Sequence, residues 1–160
     1  KKYDLVINAG IAGAFDRKLK TGEVVEVVSE QFSELGAEDG EKFIHAFDMG
    51  LIDGREFPYI NNKILQPYRN ISGLKEVKSI TVNKVHGDEG SIKKTLGQFK
   101  PQIETMEGAA VFYVCLQEGV RFVQIRAISN YVEQRNKNNW NIPLAIEQLN
   151  VQLQNMMVKI

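Results

Sequence analysis

One cysteine, four prolines, one tryptophan and two histidines among 160 residues leave several kinds of chemistry without their usual parts. A lone Cys115 cannot close an intrachain disulfide, and its setting in the apolar stretch 109–116 fits a reducing cytoplasm. Neither sign of charge is in excess, with Lys+Arg 20 against Asp+Glu 20. Such a chain has no basic field to hold phosphate backbones or acidic headgroups, so the expected partner is a small, roughly neutral ligand, not nucleic acid or a membrane. No apolar run is long enough to span a bilayer. Paired cysteines and His-x-x-x-His spacings are missing, as are the G-x-x-x-x-G-K-[ST] phosphate loop and the G-x-S-x-G elbow. Neither a metal nor another cofactor is therefore expected, and an NTPase or metal hydrolase is disfavoured.

What is present reads as one ordinary globular domain, 43% hydrophobic and 25% charged. Strands and helices alternate, the pattern of an α/β layer structure. Residues 3–8 form a short apolar run closed by Ala9-Gly10-Ile11-Ala12-Gly13-Ala14, which reads as a glycine-bearing turn after a central strand. Residues 22–29, rich in β-branched side chains, predict a second strand. Between 30 and 69 glycines and prolines break every period, so long loops with short strands are expected. Further on, strands are predicted at 77–83, 102–105 and 122–128, and helices at 90–99 and 107–118. The second helix carries an apolar stripe of Ala110, Val111, Val114 and Cys115 and stops at Gly119. A last helix starts near Pro143, with Ile146, Leu149, Leu153, Met157 and Ile160 at helical spacing.

Three short segments stand out where these elements join. The small residues of 8–14 let backbone N–H groups approach a ligand, although a tight turn explains them equally. Thr105-Met106-Glu107-Gly108-Ala109-Ala110 puts a carboxylate and a thioether at a strand-to-helix passage, where an acid also stabilises the helix dipole. Arg126-Ala127-Ile128-Ser129-Asn130 sets two polar side chains just past a buried strand, a place where Asn is ordinary turn chemistry. His45 and His86 stand alone on loop-like stretches, and His86 carries more weight because it follows a strand. Arg126, a charge in an apolar strand, predicts a buried structural pair.

In this order and separation the segments resemble the nucleoside phosphorylase and nucleosidase superfamily, from about residue 3 to the final helix. The strongest parts are Met106-Glu107-Gly108-Ala109-Ala110 and Arg126-Ala127-Ile128-Ser129-Asn130, against M-E-x-A-A and R-A-I-S-D in that superfamily. Within it the sequence is most similar to the futalosine hydrolases, on residues 31–40 and on the run from Ser129-Asn130-Tyr131-Val132-Glu133 to Trp140-Asn141-Ile142-Pro143-Leu144-Ala145-Ile146. The resemblance implies a mixed, twisted central sheet flanked by helices, a three-layer fold that is N-terminally incomplete, with residues 1–160 as the larger C-terminal part of one domain. It also implies a homodimer or higher homo-oligomer with a partner subunit close to the site.

By the same resemblance Glu107 would bind the ribose 2′- and 3′-hydroxyls and Met106 would lie against the sugar face. Asn130 stands where adenine-releasing relatives carry Asp. An amide donates hydrogen bonds but transfers no proton at neutral pH, which favours a 6-oxopurine such as hypoxanthine. Ser129 would orient Asn130 or cap the strand. Gly10, Ala12 and Gly13 would line the pocket through their backbone, and Asn8 with Ile11 would replace the Arg and Ser of a phosphate site, which favours water as the acceptor. The resemblance further places Val85 and His86 near the base, Phe32 near the sugar or 5′ side, and Arg135 either at a substrate carboxylate or paired with Glu133.

The expected activity is hydrolysis of futalosine to hypoxanthine and dehypoxanthinylfutalosine in menaquinone biosynthesis. Alternatives are a methylthioadenosine/S-adenosylhomocysteine nucleosidase, a purine nucleoside phosphorylase or a non-catalytic nucleoside-binding protein. The family's water-activating glutamate lies in an earlier segment, and none of Glu23, Glu26 or Glu30 replaces it by position. The 160-residue chain alone is accordingly expected to be inactive, and its longer parent to be the enzyme.

Overall fold

A computed structural model describes residues 3–68 and 71–158. Lys1, Lys2 and Ile160, the last a member of the expected terminal stripe, lie outside the described residues. In chain order the elements are β1 (Val6–Ala14), β2 (Val24–Glu30), β3 (Gly36–Asp39), β4 (Lys42–His45), β5 (Tyr59–Ile60), β6 (Lys63–Leu65), β7 (Lys75–Thr81), α1 (Glu89–Phe99), β8 (Ile103–Thr105), α2 (Gly108–Gln117), β9 (Phe122–Tyr131) and α3 (Ile142–Met157). A 3₁₀ turn at Lys137–Asn139 precedes α3.

The main sheet is mixed, in the order β5-β6-β2-β7-β8-β1-β9, and β9 also pairs with β2. That last pairing closes β2, β7, β8, β1 and β9 on themselves, a closure that strand pattern alone does not predict. β1 runs parallel to β9 over its whole length, with a register shift between Ala12 and Gly13. β2 runs parallel to β7 and antiparallel to β9. β3 and β4 form a separate hairpin. The loop-rich reading of 30–69 therefore holds, with four short strands inside it.

Two of the joining segments are not turns. Ala9–Ala14 is strand, and so are Ser129 and Asn130. The parallel ladder to β9 outweighs the low strand propensity of Gly10 and Gly13, because each pairing satisfies buried backbone groups. The glycines serve close approach instead. A Cβ on Gly10 would sit 3.5 Å from the Arg126 guanidinium carbon, and one on Gly13 would sit 3.4 Å from Asn130 Nδ2.

Both later helices bury only part of the expected stripes, Val111 and Cys115 on α2 and Leu149 and Leu153 on α3. α2 turns Ala109, Phe112 and Cys115 into the core with Val25, Val27, Ile64 and Val77. Ala110 is exposed, and Val114 is 57% exposed. A helix that is apolar nearly all round has no periodic signal to choose its inner face. α3 packs Ala145, Leu149, Leu153 and Met156 on Val123, Ile125 and Ala127 of β9, while Ile146 and Met157 face outward. β9 alternates as a covered strand should, its other face carrying Phe122, Gln124, Arg126 and Ile128 away from α3. Among the described residues no helix is long and apolar enough to cross a membrane.

Candidate active site

Where β1, β8 and β9 meet the start of α2, a cleft of about 480 Å³ opens. Gly10, Ala12 and Gly13 line it from β1, and Met106 and Glu107 from the passage between β8 and α2. Ser129, Asn130 and Arg126 reach it from β9, and Val85 from the loop after β7. Three segments that are separate in sequence thus share one cavity, with Glu107 and Asn130 both on its surface.

Each polar wall residue is held differently. Glu107 is the N-cap of α2, yet its side chain makes no capping hydrogen bond, so the carboxylate is not consumed by the helix. Met106 beside it is 49% exposed. Asn130 is nearly buried and its amide is oriented on both sides. Ser129 Oγ lies 2.7 Å from Asn130 Oδ1 and donates to it, and Asn130 Nδ2 donates to the Tyr131 carbonyl at 3.0 Å. One amide hydrogen is left over for a ligand. Ser129 Oγ also lies 3.2 Å from the Ala12 carbonyl, so each of the two roles open to it has a contact.

Arg126 does not form the expected ion pair. Its guanidinium donates to the Asn8 carbonyl at 2.9 Å, to Asn8 Oδ1 at 3.1 Å and to the Ile125 carbonyl at 3.0 Å. Burial pushes its pKa down, and the nearby charges of Glu30 and Glu107 oppose that. Asn8 is held on both sides of its amide as well, its Nδ2 donating to Gln124 Oε1 at 2.8 Å.

Two expected site residues stay out of the cleft. Phe32 packs against the main core, and its carbonyl lies 2.6 Å from His45 Nε2. His86 is buried and turned away, with Nδ1 2.6 Å from Glu104 Oε2 and Nε2 3.0 Å from Thr95 Oγ1. Neither histidine is the surface group its loop-like setting predicts. His45 is 4% exposed and stacks on Phe47 at 4.8 Å. Glu133 pairs with Arg17 at 2.8 Å instead of Arg135, whose guanidinium lies 5.9 Å from the Trp140 ring centre.

Sequence reasoning passed over Trp140 and Glu104 as wall residues. Trp140 is held there because the next residue, Asn141, donates its N–H to the Ser129 carbonyl at 2.8 Å. Glu104 lies in the short strand Ile103–Thr105, whose sequence has no apolar pattern to mark the carboxylate as buried. A larger apolar groove of about 860 Å³ lies beside the cleft, between Tyr3, Val6 and the exposed face of α2. Among the described residues no group of three or more His, Cys, Asp or Glu could hold a metal.

Beneath the cleft sits Glu30, fully buried. Burial pushes its carboxyl above the ordinary 4.5, and hydrogen bonds from Gln124 and Thr81 hold that rise back. A raised folded pKa contributes stability that is complete below 4.5 and lost as pH rises through the folded value. Melting curves of wild type and Glu30→Gln should accordingly move in the variant's favour as pH increases above 4.5. A difference between the two that does not change with pH would contradict the shift.

Residues 2–158 match the family described as the Phosphorylase superfamily. The chain belongs to that superfamily. Curated members similar to it include a futalosine hydrolase of Acidothermus cellulolyticus, 29% identical over 93% of this chain and 62% of that protein. A futalosine hydrolase of Thermus thermophilus is 30% identical over 88% and 63%. A 5′-methylthioadenosine/S-adenosylhomocysteine nucleosidase of Geobacillus kaustophilus is 32% identical over 79% and 55%. The chain thus spans somewhat under two thirds of the length of these superfamily members. Among solved structures, futalosine hydrolase of Helicobacter pylori strain 26695 superposes with a TM-score of 0.79 at 16% identity, covering 98% of this chain and 69% of that one. The superposition shows a shared fold, a mixed sheet with flanking helices.

Proposed function

We propose that the whole protein hydrolyses the N-glycosidic bond of futalosine, releasing hypoxanthine. The observation that carries this reading is the meeting of Glu107 and an oriented Asn130 in one cleft. Glu107 would accept both hydroxyls of the ribose diol and place negative charge beside a ring that turns cationic as the bond stretches. Met106 would cover the sugar face and Gly10, Ala12 and Gly13 would let the ligand lie on bare backbone. Asn130 would donate its free amide hydrogen to O6 or N7 of a 6-oxopurine. Water is the favoured acceptor. Asn8 brings no charge to the place of a phosphate-binding arginine, its carboxamide is committed to Arg126 and Gln124, and Ile11 offers no hydroxyl.

The second reading, a methylthioadenosine/S-adenosylhomocysteine nucleosidase, is favoured by the 32% identity to the Geobacillus protein. Asn130 argues against it, since an amide supplies no proton to a departing adenine. We take the enzyme to act in the cytoplasm, in menaquinone biosynthesis, as a homodimer or higher homo-oligomer joined through apolar surface such as the exposed α2 face. The test is incubation of the whole protein with futalosine, with methylthioadenosine, and with inosine plus phosphate, followed by mass spectrometry of the products. Base release from futalosine alone, independent of phosphate, is expected. Adenine release would favour the second reading, and ribose 1-phosphate would identify a phosphorylase.

A further inference from the structure

The buried carboxyl of Glu30 does not itself line the cleft, yet it joins residues of two of the cleft's walls. Its Oε1 accepts from Gln124 Nε2 at 2.7 Å and from Thr105 Oγ1 at 3.2 Å, and its Oε2 accepts from Thr81 Oγ1 at 2.9 Å. Thr81 Oγ1 in turn accepts the Ala109 backbone N–H at 2.8 Å, in the first turn of α2 and two residues beyond Glu107. On the other side Gln124 Oε1 accepts from Asn8 Nδ2, and Asn8 Oδ1 accepts from the Arg126 guanidinium. One unbroken relay therefore runs from the helix start beneath Glu107 to the guanidinium beneath Gly10.

Gly108 records how closely the parts fit. A Cβ there would lie 1.9 Å from Glu30 Oε1 and 2.6 Å from Gln124 Nε2. The helix start is thus seated directly on the carboxyl. A buried network in which each member has its partner has one low-energy arrangement, whereas an unfilled donor costs its desolvation. An apolar side chain at position 30 could fill the space but would strand the hydroxyls of Thr81 and Thr105 and the amide of Gln124.

We infer that Glu30 is a positioning residue: through Thr81 it sets the first turn of α2 so that Glu107 faces a ribose diol, and through Gln124 and Asn8 it sets Arg126 against Gly10 in the cleft wall. The inference rests on the reading of Glu107 as the ribose ligand. It names a residue that never meets the substrate, and it predicts a loss in recognition of the diol, not of the base.

The test uses the whole protein and ligands that cannot be turned over: 9-deazainosine, whose carbon link to ribose resists hydrolysis, its 2′,3′-dideoxy analogue, and free hypoxanthine. Calorimetry gives each affinity. Wild type should prefer the diol by about tenfold or more, as hydrogen bonds to a charged group warrant. Thr81→Val should bring that preference close to one while hypoxanthine affinity stays within about twofold, and Thr81→Ser should restore it. Glu30→Gln, which preserves side-chain volume, should repeat the loss and covers the case in which Thr81→Val does not fold. A diol preference that Glu107→Gln abolishes but that Thr81→Val and Glu30→Gln both retain overturns this inference alone. A wild type with no diol preference, or a Glu107→Gln variant that keeps it, overturns the ribose-site reading and this inference with it.

Discussion

Replacing Glu107 by glutamine should lower kcat/KM for futalosine in the whole protein on the order of 10²–10³-fold, the range seen when one preorganised transition-state contact is removed. Two losses combine. A carboxylate accepts from both ribose hydroxyls, whereas an amide offers one acceptor and points a donor at the other hydroxyl. The negative charge beside the developing oxocarbenium ring is lost as well, and it is worth more in a cleft than in bulk water. Stability should change little. Glu107 caps α2 by backbone position without a side-chain hydrogen bond, so no capping interaction disappears. Steady-state release of hypoxanthine, measured beside a thermal melt, checks both parts. An active Glu107→Gln enzyme would remove the ribose role, and a variant that is inactive because it is unfolded would show in the melt.

The second large effect is expected at Asn130. Changing it to Asp should raise turnover of 6-aminopurine nucleosides relative to futalosine by roughly 10²-fold or more, the scale of general-acid assistance to a leaving group. Ser129 Oγ can go on donating to the first carboxyl oxygen as it now donates to Asn130 Oδ1. The second oxygen would replace Nδ2, which now donates to the Tyr131 carbonyl at 3.0 Å. An ionised carboxylate facing a carbonyl at that distance is unfavourable, so the site itself favours the protonated acid. A proton held there is what a departing adenine requires and what an amide cannot transfer. Competition between futalosine and methylthioadenosine, read as the ratio of hypoxanthine to adenine released, gives the answer directly. An unchanged ratio would mean that position 130 does not meet the base.

The places where local pattern succeeded and failed follow one rule. β2, β7 and β9 are legible because β-branched and apolar residues recur within a few positions, and α1, expected at 90–99, is found at Glu89–Phe99, where the structure adds that the Asp88 side chain accepts from the Ser91 N–H. The glycine-bearing stretch of β1 is not, since its strand state depends on hydrogen bonds to β9 more than 100 residues away. The inner face of α2 is not legible either, because Ala110 and Val114 are as apolar as Ala109 and Phe112. Phe32 and His86 lie near strand ends, as site residues often do, but the core claimed the first and the pair of Glu104 and Thr95 claimed the second.

By itself the sequence determined the alternation of strands and helices, the absence of disulfide and metal-ligand spacings, and the two short segments around Glu107 and Asn130 that carry the family resemblance. These are local properties, set by side-chain type and by spacings of a few residues. Only the tertiary structure decided that the two segments line one cleft, that Trp140 joins them and that Arg126 is satisfied by Asn8. It alone revealed that Glu30 underlies the whole arrangement. The hydrogen bonds that seat the start of α2 on Thr81 and Arg126 on Asn8 join residues 28 and 118 positions apart. Such contacts form when the sheet closes β9 against both β1 and β2, an event that no window of neighbouring residues encodes.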